Sequence, residues 1–430
     1  MSSDNKSDGT PVYDSSMDSQ PSRSRFHLWL ARRLLHACNN PPIQIVLWDG
    51  AEVSGTAAPT FRLKFHTRRA FYQVLIYPDL YFGEAYMRGD LEVEGGLIEC
   101  LEAIYAGRNG LAQSLKWRLI HALLSPARRN HLKGSRRNIQ HHYDIGNEFY
   151  EQWLDRAAMQ YTCAYYRNPS ATLEEAQLAK LEHVCRKLQL KPGDTVVEAG
   201  CGWGGLARYM AKNYHVSVRA YNISHEQIVY ARAKAKEQGL EGLVEYVEDD
   251  YRNIEGLYDV FVSVGMLEHV GVAHFPGLNQ IIQRSLKPEG LGLIHTIGRN
   301  VAGKMNAWIE RHIFPGSEPP SMRQMQDIFT NGLVALDIEN LRLHYATTVR
   351  HWLERFEDYR EEFAAQFDEK FMRTWYLYLC GSAAAFTSDQ LQLYQIVFAR
   401  EANNKIPMTR EHIYQNLPAA TPHSARESKE

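Results

Sequence analysis

The sequence predicts an α/β protein in which a doubly wound, mostly parallel sheet forms the main domain and a smaller α+β domain precedes it. Three observations indicate this fold. Apolar runs alternate with helical stretches through the second half of the chain, one run ends abruptly in a glycine-rich turn, and short strand-like segments separated by Pro, Asp and Gly lie near the N-terminus. A length of 430 residues also exceeds the usual range of a single domain.

Composition divides the chain into five parts. Residues 1–22 have almost no apolar side chains and are predicted to be a disordered tail. The other parts are an N-terminal domain at 23–110, a basic amphipathic linker at 111–139, the main domain at 140–415 and a flexible tail at 416–430.

The N-terminal domain shows both helical and strand-like patterns. Residues 26–36 combine basic and apolar side chains with the spacing of an amphipathic helix. Residues 43–48 and 71–77 are rich in β-branched and aromatic side chains, which is typical of strands. Together they predict a small α+β unit.

The linker is strongly basic. Between residues 111 and 138 there is no acidic side chain, and apolar residues interleave with the first cations. Such a segment can lie on an anionic bilayer, where each cation near the surface contributes about 1 kcal/mol. It can equally be a solvated linker, and the pattern alone leaves both interpretations open. The cations are Lys116, Arg118, Arg128, Arg129, Lys133, Arg136 and Arg137.

The main domain alternates strands and helices. Thr172 and Glu175 form a capping box that predicts a helix to about residue 188. Apolar runs at 195–199, 216–220, 243–247, 258–264 and 290–297 predict the strands of one sheet. In such a sheet, ligands and catalytic groups gather at the carboxyl ends of the strands.

The most informative segment is the glycine turn at residues 200–205, Gly-Cys-Gly-Trp-Gly-Gly. It fits the dinucleotide pattern G-x-G-x-x-G, which also expects an acidic residue at the end of the next strand. That strand ends instead in Asn222 and Ser224, while Glu198 precedes the glycines. An acidic residue in that position resembles S-adenosylmethionine methyltransferases, and this loop alone still leaves NAD, or no ligand at all, as alternatives.

Bulk properties exclude several classes. A net charge of −2 predicts no general attraction to nucleic acid, and six scattered cysteines favour a reducing, cytoplasmic setting. The chain has no run of 18 apolar residues, so we expect no transmembrane helix. Neither the pair His141 and His142 nor the pair Glu268 and His269 is accompanied by a third ligand at metal spacing, so no metal site is expected.

Several separate motifs extend the analysis beyond the glycine turn. They lie in order along residues 135–400 and, with the turn, resemble the cyclopropane-fatty-acyl-phospholipid synthase family; the N-terminal domain resembles it more loosely. The motifs occupy residues 141–147, 161–163, 265–271, 293–298 and 344–348.

This resemblance implies a class I S-adenosylmethionine methyltransferase fold with an N-terminal lipid-binding domain. The implied reaction transfers the methyl(ene) group of S-adenosylmethionine to the cis double bond of an unsaturated phospholipid acyl chain, giving a cyclopropane. An alkene is a weak nucleophile, so the protein must align it with the sulfonium methyl, exclude water and finally provide a base.

In the family a bound bicarbonate supplies or relays that base. The residues that would hold it here are Cys163, Glu268, His295, Tyr345 and the backbone of Ile297. Thiol, imidazole and phenol can donate hydrogen bonds to an anion. Taken singly, Cys163 is more often a small buried apolar residue, and His295 a structural histidine.

The resemblance also implies a binding site for S-adenosylmethionine. Tyr161 and Thr162 would lie near its methionyl end, and Asp250 near the adenine amino group. Glu198 replaces the more usual Asp, and Trp203 could instead be helix–sheet core. The full set is Tyr161, Thr162, Glu198, Gly200, Gly202, Trp203, Asn222, Ile223, Gln227, Asp250, Tyr251 and Arg252.

The implied acceptor lies in a membrane. We therefore expect peripheral association with the anionic inner membrane face through Lys116, Arg118, Arg128 and Arg129, with the N-terminal domain orienting the lipid. A homodimer is a further expectation from the family. Two alternatives remain: a lipid C-methyltransferase giving methyl- or methylene-branched chains, and a non-catalytic protein that binds lipid or S-adenosylmethionine.

Overall fold

A computed structural model describes residues 22–107 and 145–415. The predicted tail at 416–430, the basic linker at 111–139 and the predicted N-terminal tail, apart from Ser22, lie outside the described residues. Ser22 begins the first helix.

The N-terminal domain contains a four-stranded sheet with the order β2-β1-β3-β4. Strands β1 and β3 are parallel and the other pairs are antiparallel. The strands are β1 Ile43–Val46, β2 Glu52–Ser54, β3 Phe61–Phe65 and β4 Leu91–Glu94. The helices are α1 Ser22–Ala37, α2 Arg68–Ile76, α3 Pro78–Met87 and α4 Leu97–Gly107.

The strand predicted at 71–77 is wrong, because this segment is helix α2. The Thr67 side chain caps the helix by accepting a hydrogen bond from the backbone N–H of Ala70. Ala70, Phe71 and Val74 are buried on one helical face. Its composition is strand-like, but the cap and the packing of that face determine the structure.

The main domain contains a seven-stranded sheet with the order β10-β11-β9-β8-β5-β6-β7. All adjacent pairs from β9 to β7 are parallel, whereas β11 runs antiparallel between β9 and β10. This confirms the predicted doubly wound sheet, although β10 and β11 were not predicted. The strands are β5 Thr195–Ala199, β6 Ser217–Asn222, β7 Val244–Glu248, β8 Tyr258–Val264, β9 Leu286–Gly298, β10 Leu333–Asn340 and β11 Gln392–Arg400.

Helices of the main domain pack around this sheet, and α6 carries the predicted capping box. Short 3-10 turns lie at Tyr251–Asn253, Leu267–His269, Val272–His274 and Gln326–Ile328. The helices are α5 Asn147–Trp153, α6 Leu173–Lys187, α7 Gly205–Tyr214, α8 His225–Glu237, α9 Phe275–Ser285, α10 Ala307–His312, α11 Met322–Met325, α12 Arg342–Asp358, α13 Arg360–Gln366, α14 Glu369–Thr387 and α15 Glu411–Tyr414.

The two domains meet through α3 and α4, which pack against α10 and α14. Gly83 permits the closest approach, since a Cβ there would lie 2.4 Å from the Trp308 indole. Glu84 forms ion pairs across the interface with Arg311 at 3.3 Å and His312 at 2.9 Å. In the ranges that the structure describes, no helix is long and apolar enough to cross a membrane.

Candidate active site

The glycine turn follows β5 directly and leads into α7. Gly200 has a positive φ of 84°, and a Cβ there would lie 2.9 Å from that of Met266. Gly202 also has a positive φ, yet its Cβ position has no neighbour within 4 Å. The turn is therefore packed on one side and open on the other, so a ligand can approach its backbone.

The end of β6 holds this turn in place. The side-chain amide of Asn222 donates to the carbonyl oxygen of Gly202 at 3.2 Å and to Oε1 of Gln227 at 2.8 Å. Gln227 is only 3% exposed. Both residues thus support the loop through hydrogen bonds within the protein.

A small cavity of about 70 Å³ lies beside the turn, where Gly200 and Met266 line it. Asp250 accepts the backbone N–H of Arg252 at 3.0 Å and so caps the 3-10 turn at its edge. The Arg252 guanidinium lies over the Tyr251 ring, 5.3 Å from its centroid. The cavity collects six of the predicted cofactor residues, Gly200, Asn222, Ile223, Asp250, Tyr251 and Arg252.

Glu198 and Trp203 lie behind the turn and line neither of the two cavities described here. Burial raises the pKa of Glu198 to about 7, against the charges of Lys180 and Arg208, and its Oε2 has no hydrogen-bond partner. The Trp203 indole N–H donates to Asn147 at 2.8 Å. Trp203 therefore belongs to the packed core, as the helix–sheet alternative predicts.

A second, much larger cavity of about 1100 Å³ lies between the two domains. Helices α3, α4, α10, α12 and α14 contribute aromatic and aliphatic walls, and its rim carries charged side chains such as Arg299 and Asp389. A deep apolar space with a polar mouth suits a ligand with a long hydrocarbon part. Its apolar walls include Phe82, Leu101, Tyr105, Trp308, Trp352 and Leu377.

The segment after β8 separates the two cavities. Gly265 and Glu268 line the large cavity, Met266 and Val270 line the small one, and His269 lines both. A group bound at the glycine turn and a chain bound between the domains would therefore meet across one short segment.

Glu268 lies in this segment and is 5% exposed. Its Oε1 accepts the backbone N–H of Ile297 at 2.5 Å, whereas Oε2 has no hydrogen-bond partner within residues 22–107 and 145–415. Burial raises the pKa of Glu268 to about 7 despite this hydrogen bond. A carboxylate with such a pKa can accept a proton near neutral pH.

Cys163 and His295 lie deeper and do not line the large cavity. His295 Nδ1 lies 3.1 Å from the Gln395 amide nitrogen, and Nε2 has no hydrogen-bond partner in the described part of the chain. Burial and the charge of Lys180 hold the pKa of His295 well below its usual value, so the imidazole is neutral. Burial raises the pKa of Cys163, which stays a thiol.

Tyr345 and Ile297 line the large cavity beside Glu268. The Tyr345 ring stacks on Phe386 at a centroid distance of 4.4 Å and meets Trp352 edge-on at 5.9 Å. Of the five residues expected to hold an anion, three thus lie on the cavity wall and two behind it. The Ile297 amide is already engaged by Glu268.

Sequence reasoning missed the buried polar residues of α6, of which two contact the predicted site residues. Lys180 and Gln177 are both fully buried, and both contact the segment 160–163 that carries Tyr161, Thr162 and Cys163. The sequence did contain a signal for their burial. They follow Leu173 by four and seven residues, which places them on the same helix face as this buried residue.

Comparison with known proteins gives consistent results. The family model described as mycolic acid cyclopropane synthetase matches residues 130–396, and a model for a domain of unknown function matches residues 30–116. The cyclopropane-fatty-acyl-phospholipid synthase of Escherichia coli K12 is 38% identical over 84% of this chain and 93% of its own length. A probable fatty acid methyltransferase of Pseudomonas putida is 35% identical over 87% of this chain and 96% of its own.

Solved structures match the main domain. The cyclopropane synthase of Mycobacterium tuberculosis superposes with a TM-score of 0.58 at 27% identity, covering 61% of this chain and 98% of its own. A mycolic acid cyclopropane synthase complexed with SAH and CTAB gives a TM-score of 0.59 at 26% identity, covering 62% and 98%. These matches confirm the predicted methyltransferase fold class.

Proposed function

The chain belongs to the mycolic acid cyclopropane synthetase family, and from this premise we propose that it is an S-adenosylmethionine-dependent enzyme that adds a methylene group to the cis double bond of unsaturated phospholipid acyl chains. The observation that carries this proposal is the segment 265–270, which lines both the cavity at the glycine turn and the large apolar cavity. Donor and acceptor can then meet across it.

The residues around the small cavity fit S-adenosylmethionine. The glycine turn offers open backbone at the start of α7, and Asp250 offers a buried carboxylate that can accept from an amino group. When bound, S-adenosylmethionine supplies the methyl group that the double bond attacks, and loss of one proton then closes the ring. Tyr161 and Thr162 line the large cavity, where the methyl group must be presented.

The large cavity fits the acyl chain. Its aromatic walls exclude water, and the faces of Tyr345 and Trp352 can stabilise developing positive charge without reacting with it. Glu268 lies in the same wall, and one of its carboxylate oxygens has no hydrogen-bond partner among the described residues. It can therefore accept a proton or orient a group that does.

A bicarbonate ion also fits the chemistry of these residues. Among the residues that the structure describes, Glu268 Oε2 and His295 Nε2 are both buried without a hydrogen-bond partner, which is costly unless a further group satisfies them. The neutral imidazole of His295 and the thiol of Cys163 can donate to an anion, and a protonated Glu268 can do the same. When bound, the ion would supply or relay the base for the departing proton.

A second product is favoured by one comparison. The Pseudomonas putida relative is named a probable fatty acid methyltransferase at an identity close to that of the cyclopropane synthase. A methyl- or methylene-branched chain would arise from the same transfer if a different proton left. The donor and acceptor sites would be unchanged.

We also propose that the enzyme works at an anionic membrane surface, through the linker cations Lys116, Arg118, Arg128 and Arg129, which lie outside the described residues. Helix α1 supports a membrane-facing N-terminal domain. Its exposed face carries Phe26 and Trp29, 54% and 53% exposed, together with Arg25, Arg32 and Arg33. A homodimer is proposed only by analogy with the family.

One experiment tests the proposed function. The full chain is incubated with labelled S-adenosylmethionine and vesicles of cis-unsaturated phospholipid, and the fatty acids are analysed by mass spectrometry. A gain of CH₂ with loss of the alkene signal supports cyclopropanation. Label with retained unsaturation indicates a methyl- or methylene-branched product, because loss of a different proton leaves a double bond, and absence of label in lipid overturns the proposal.

A further inference from the structure

Helix α6 buries four polar side chains, Gln177, Lys180, His183 and Lys187, and the first two contact the segment 160–163. Lys180 and Gln177 are both 0% exposed, although they lie on a helix whose neighbouring buried positions are mostly apolar. Burying an ammonium group is costly unless charges and hydrogen bonds offset the loss of water. The contacts of these two side chains therefore indicate what they hold in place.

Both side chains hold the segment 160–163. The Lys180 ammonium donates to Oγ1 of Thr162 at 3.0 Å and to Oε1 of Gln160 at 2.5 Å. The Gln177 amide donates to the carbonyl oxygen of Thr162 at 2.8 Å. Thr162 is thus fixed through its side chain and its backbone by one face of α6.

The other side of Thr162 contacts the segment that separates the two cavities. Its methyl carbon would lie 2.7 Å from a Cβ placed on Gly265, so the two residues are in close contact. Thr162 and Gly265 both line the large cavity. A path of direct contacts therefore leads from Lys180 through Thr162 to the turn that carries Glu268.

Buried acidic groups explain why a lysine is tolerated here. Asp155, 2% exposed, accepts the backbone N–H groups of Ala158 and Gln160 and acts electrostatically on Lys180, as does Glu198. Burial lowers the pKa of Lys180 only to about 8, because these groups oppose the effect. The ammonium is therefore charged at neutral pH and holds its hydrogen-bond acceptors firmly.

We infer that Lys180 and Gln177 are positioning residues: they hold residues 160–163 against Gly265 and so fix the wall across which donor and acceptor meet. This inference rests on the proposed function, because methyl transfer is the event that the wall would serve. Neither side chain lines either cavity, so both act through Thr162.

The test is a double-mutant cycle on kcat/KM with phospholipid vesicles. Lys180→Met and Thr162→Val each remove one partner of the same hydrogen bond, and each is expected to lower kcat/KM by about tenfold or more. If Lys180 acts through Thr162, the double variant is no worse than the poorer single variant. If the losses in kcat/KM of the two single variants multiply in the double variant, the inference is overturned.

Lys187→Met is the matched control. Lys187 is a second buried lysine of α6, but its ammonium donates to Glu339 at 2.5 Å instead. Lys187→Met is expected to lower stability in urea. Any effect it has on kcat/KM should multiply with the effect of Thr162→Val. Equal coupling of both lysines to Thr162 would show a merely structural role and would overturn the inference.

Gln177→Leu provides a second route if Lys180→Met does not fold. It removes the hydrogen bond to the Thr162 carbonyl oxygen, which Thr162→Val keeps, without changing any charge. Gln177→Leu alone is therefore expected to lower kcat/KM by about tenfold or more, and an unchanged kcat/KM would overturn the inference. The cycle is also run on the dissociation constant of S-adenosylmethionine, measured by calorimetry, which needs no turnover. If the wild-type protein binds S-adenosylmethionine but shows no turnover, the proposed function is contradicted. If the effects of Lys180→Met and Thr162→Val on the dissociation constant are additive in free energy, the positioning role is contradicted.

Discussion

The backbone N–H of Ile297 donates to Oε1 of Glu268 at 2.5 Å, and this hydrogen bond joins the turn after β8 to the end of β9. One carboxylate oxygen of Glu268 is thereby fixed, while the other has no hydrogen-bond partner in the ranges that the structure describes. Burial raises the pKa of this carboxyl group to about 7. The bond orients Glu268, and burial prepares it to accept a proton.

Glu268→Gln is therefore expected to abolish most turnover while S-adenosylmethionine still binds. The amide keeps the size of the side chain and can still accept from Ile297, but it cannot take up a proton. We expect kcat to fall by about 100-fold or more, which is the size of a lost acid–base group. Turnover is measured with vesicles and binding by calorimetry.

Glu318→Gln is the control for that variant. Glu318 lies near Glu268, since its backbone N–H donates to the Glu268 carbonyl oxygen at 2.8 Å, but it does not line the cavity. Its kcat should match the wild type. Full activity in Glu268→Gln would remove Glu268 from the proposed mechanism.

The pH dependence of kcat should show an acid limb. The pKa of Glu268 is raised to about 7 by burial, so the group is protonated and unable to accept a proton below that pH. We expect kcat, at saturating substrates, to rise as pH increases through 7 and then to level off. The pKa of Glu198 is raised to the same value, so the limb must persist in Glu198→Gln. A flat profile would contradict the assignment.

Local signals made the geometry of the glycine-turn site, the proposed donor site, predictable from the sequence. The strand, glycine turn and helix that form it are contiguous, and parallel strands bring Asn222 and Asp250 to the same edge of the sheet. Glu198 and Trp203 were less predictable, because side chains before and inside the turn can face either the ligand or the core. The structure puts both behind the turn.

The large cavity could not be predicted in the same way. It forms where α3 and α4 pack on α10 and α14, so its walls come from segments about 200 residues or more apart in the chain. Contacts such as Gly83 against Trp308 leave no periodic signal. Similarly, the sequence pattern cannot distinguish a buried lysine such as Lys180 from the exposed lysines common on helices.

Gly381 gives a test of where the acyl chain lies. It lines the large cavity on α14, and its Cβ position has no neighbour within 4 Å outside its own helix. Gly381→Leu should place a side chain in the cavity and lower turnover of long acyl chains by about tenfold or more, without affecting S-adenosylmethionine binding. Gly277→Leu, on α9 with equally open surroundings but outside both cavities, is the control. Equal turnover in the two variants would place the chain elsewhere.

Glu339 is expected to dominate the stability of the α6 region. It accepts from His183 at 2.7 Å and from Lys187 at 2.5 Å. Burial alone would raise its pKa, but these partners bring it to about 2, below the ordinary 4.5. The contribution of Glu339 to the free energy of unfolding is therefore complete above pH 4.5 and is lost as pH falls toward 2.

Glu339→Gln should lower the free energy of unfolding at neutral pH by about 3 kcal/mol, because it leaves the buried Lys187 ammonium without a carboxylate. Urea denaturation measures the change. The control is Glu245→Gln, which removes an exposed ion pair with Arg219 and should cost less than about 1 kcal/mol. Similar losses in both variants would show that burial of the pair has no effect.

The proposed membrane contact is tested by removing positive charge from the linker. Replacing Lys116, Arg118, Arg128 and Arg129 by Gln removes four cations, each of which contributes about 1 kcal/mol at an anionic surface. We expect affinity for vesicles of anionic phospholipid to fall by about 100-fold or more, and the salt dependence of binding to weaken. Co-sedimentation measures both.

The control must change the net charge equally and leave the linker intact. Four lysines on or beside the helices around the glycine turn serve this purpose, namely Lys191, Lys212, Lys234 and Lys236. Their replacement by Gln should leave vesicle binding within about threefold of the wild type, because binding then depends on a local patch rather than on net charge. If the linker variant binds as well as this control, the linker does not dock the enzyme, and the exposed face of α1 with Phe26 and Trp29 becomes the surface to test.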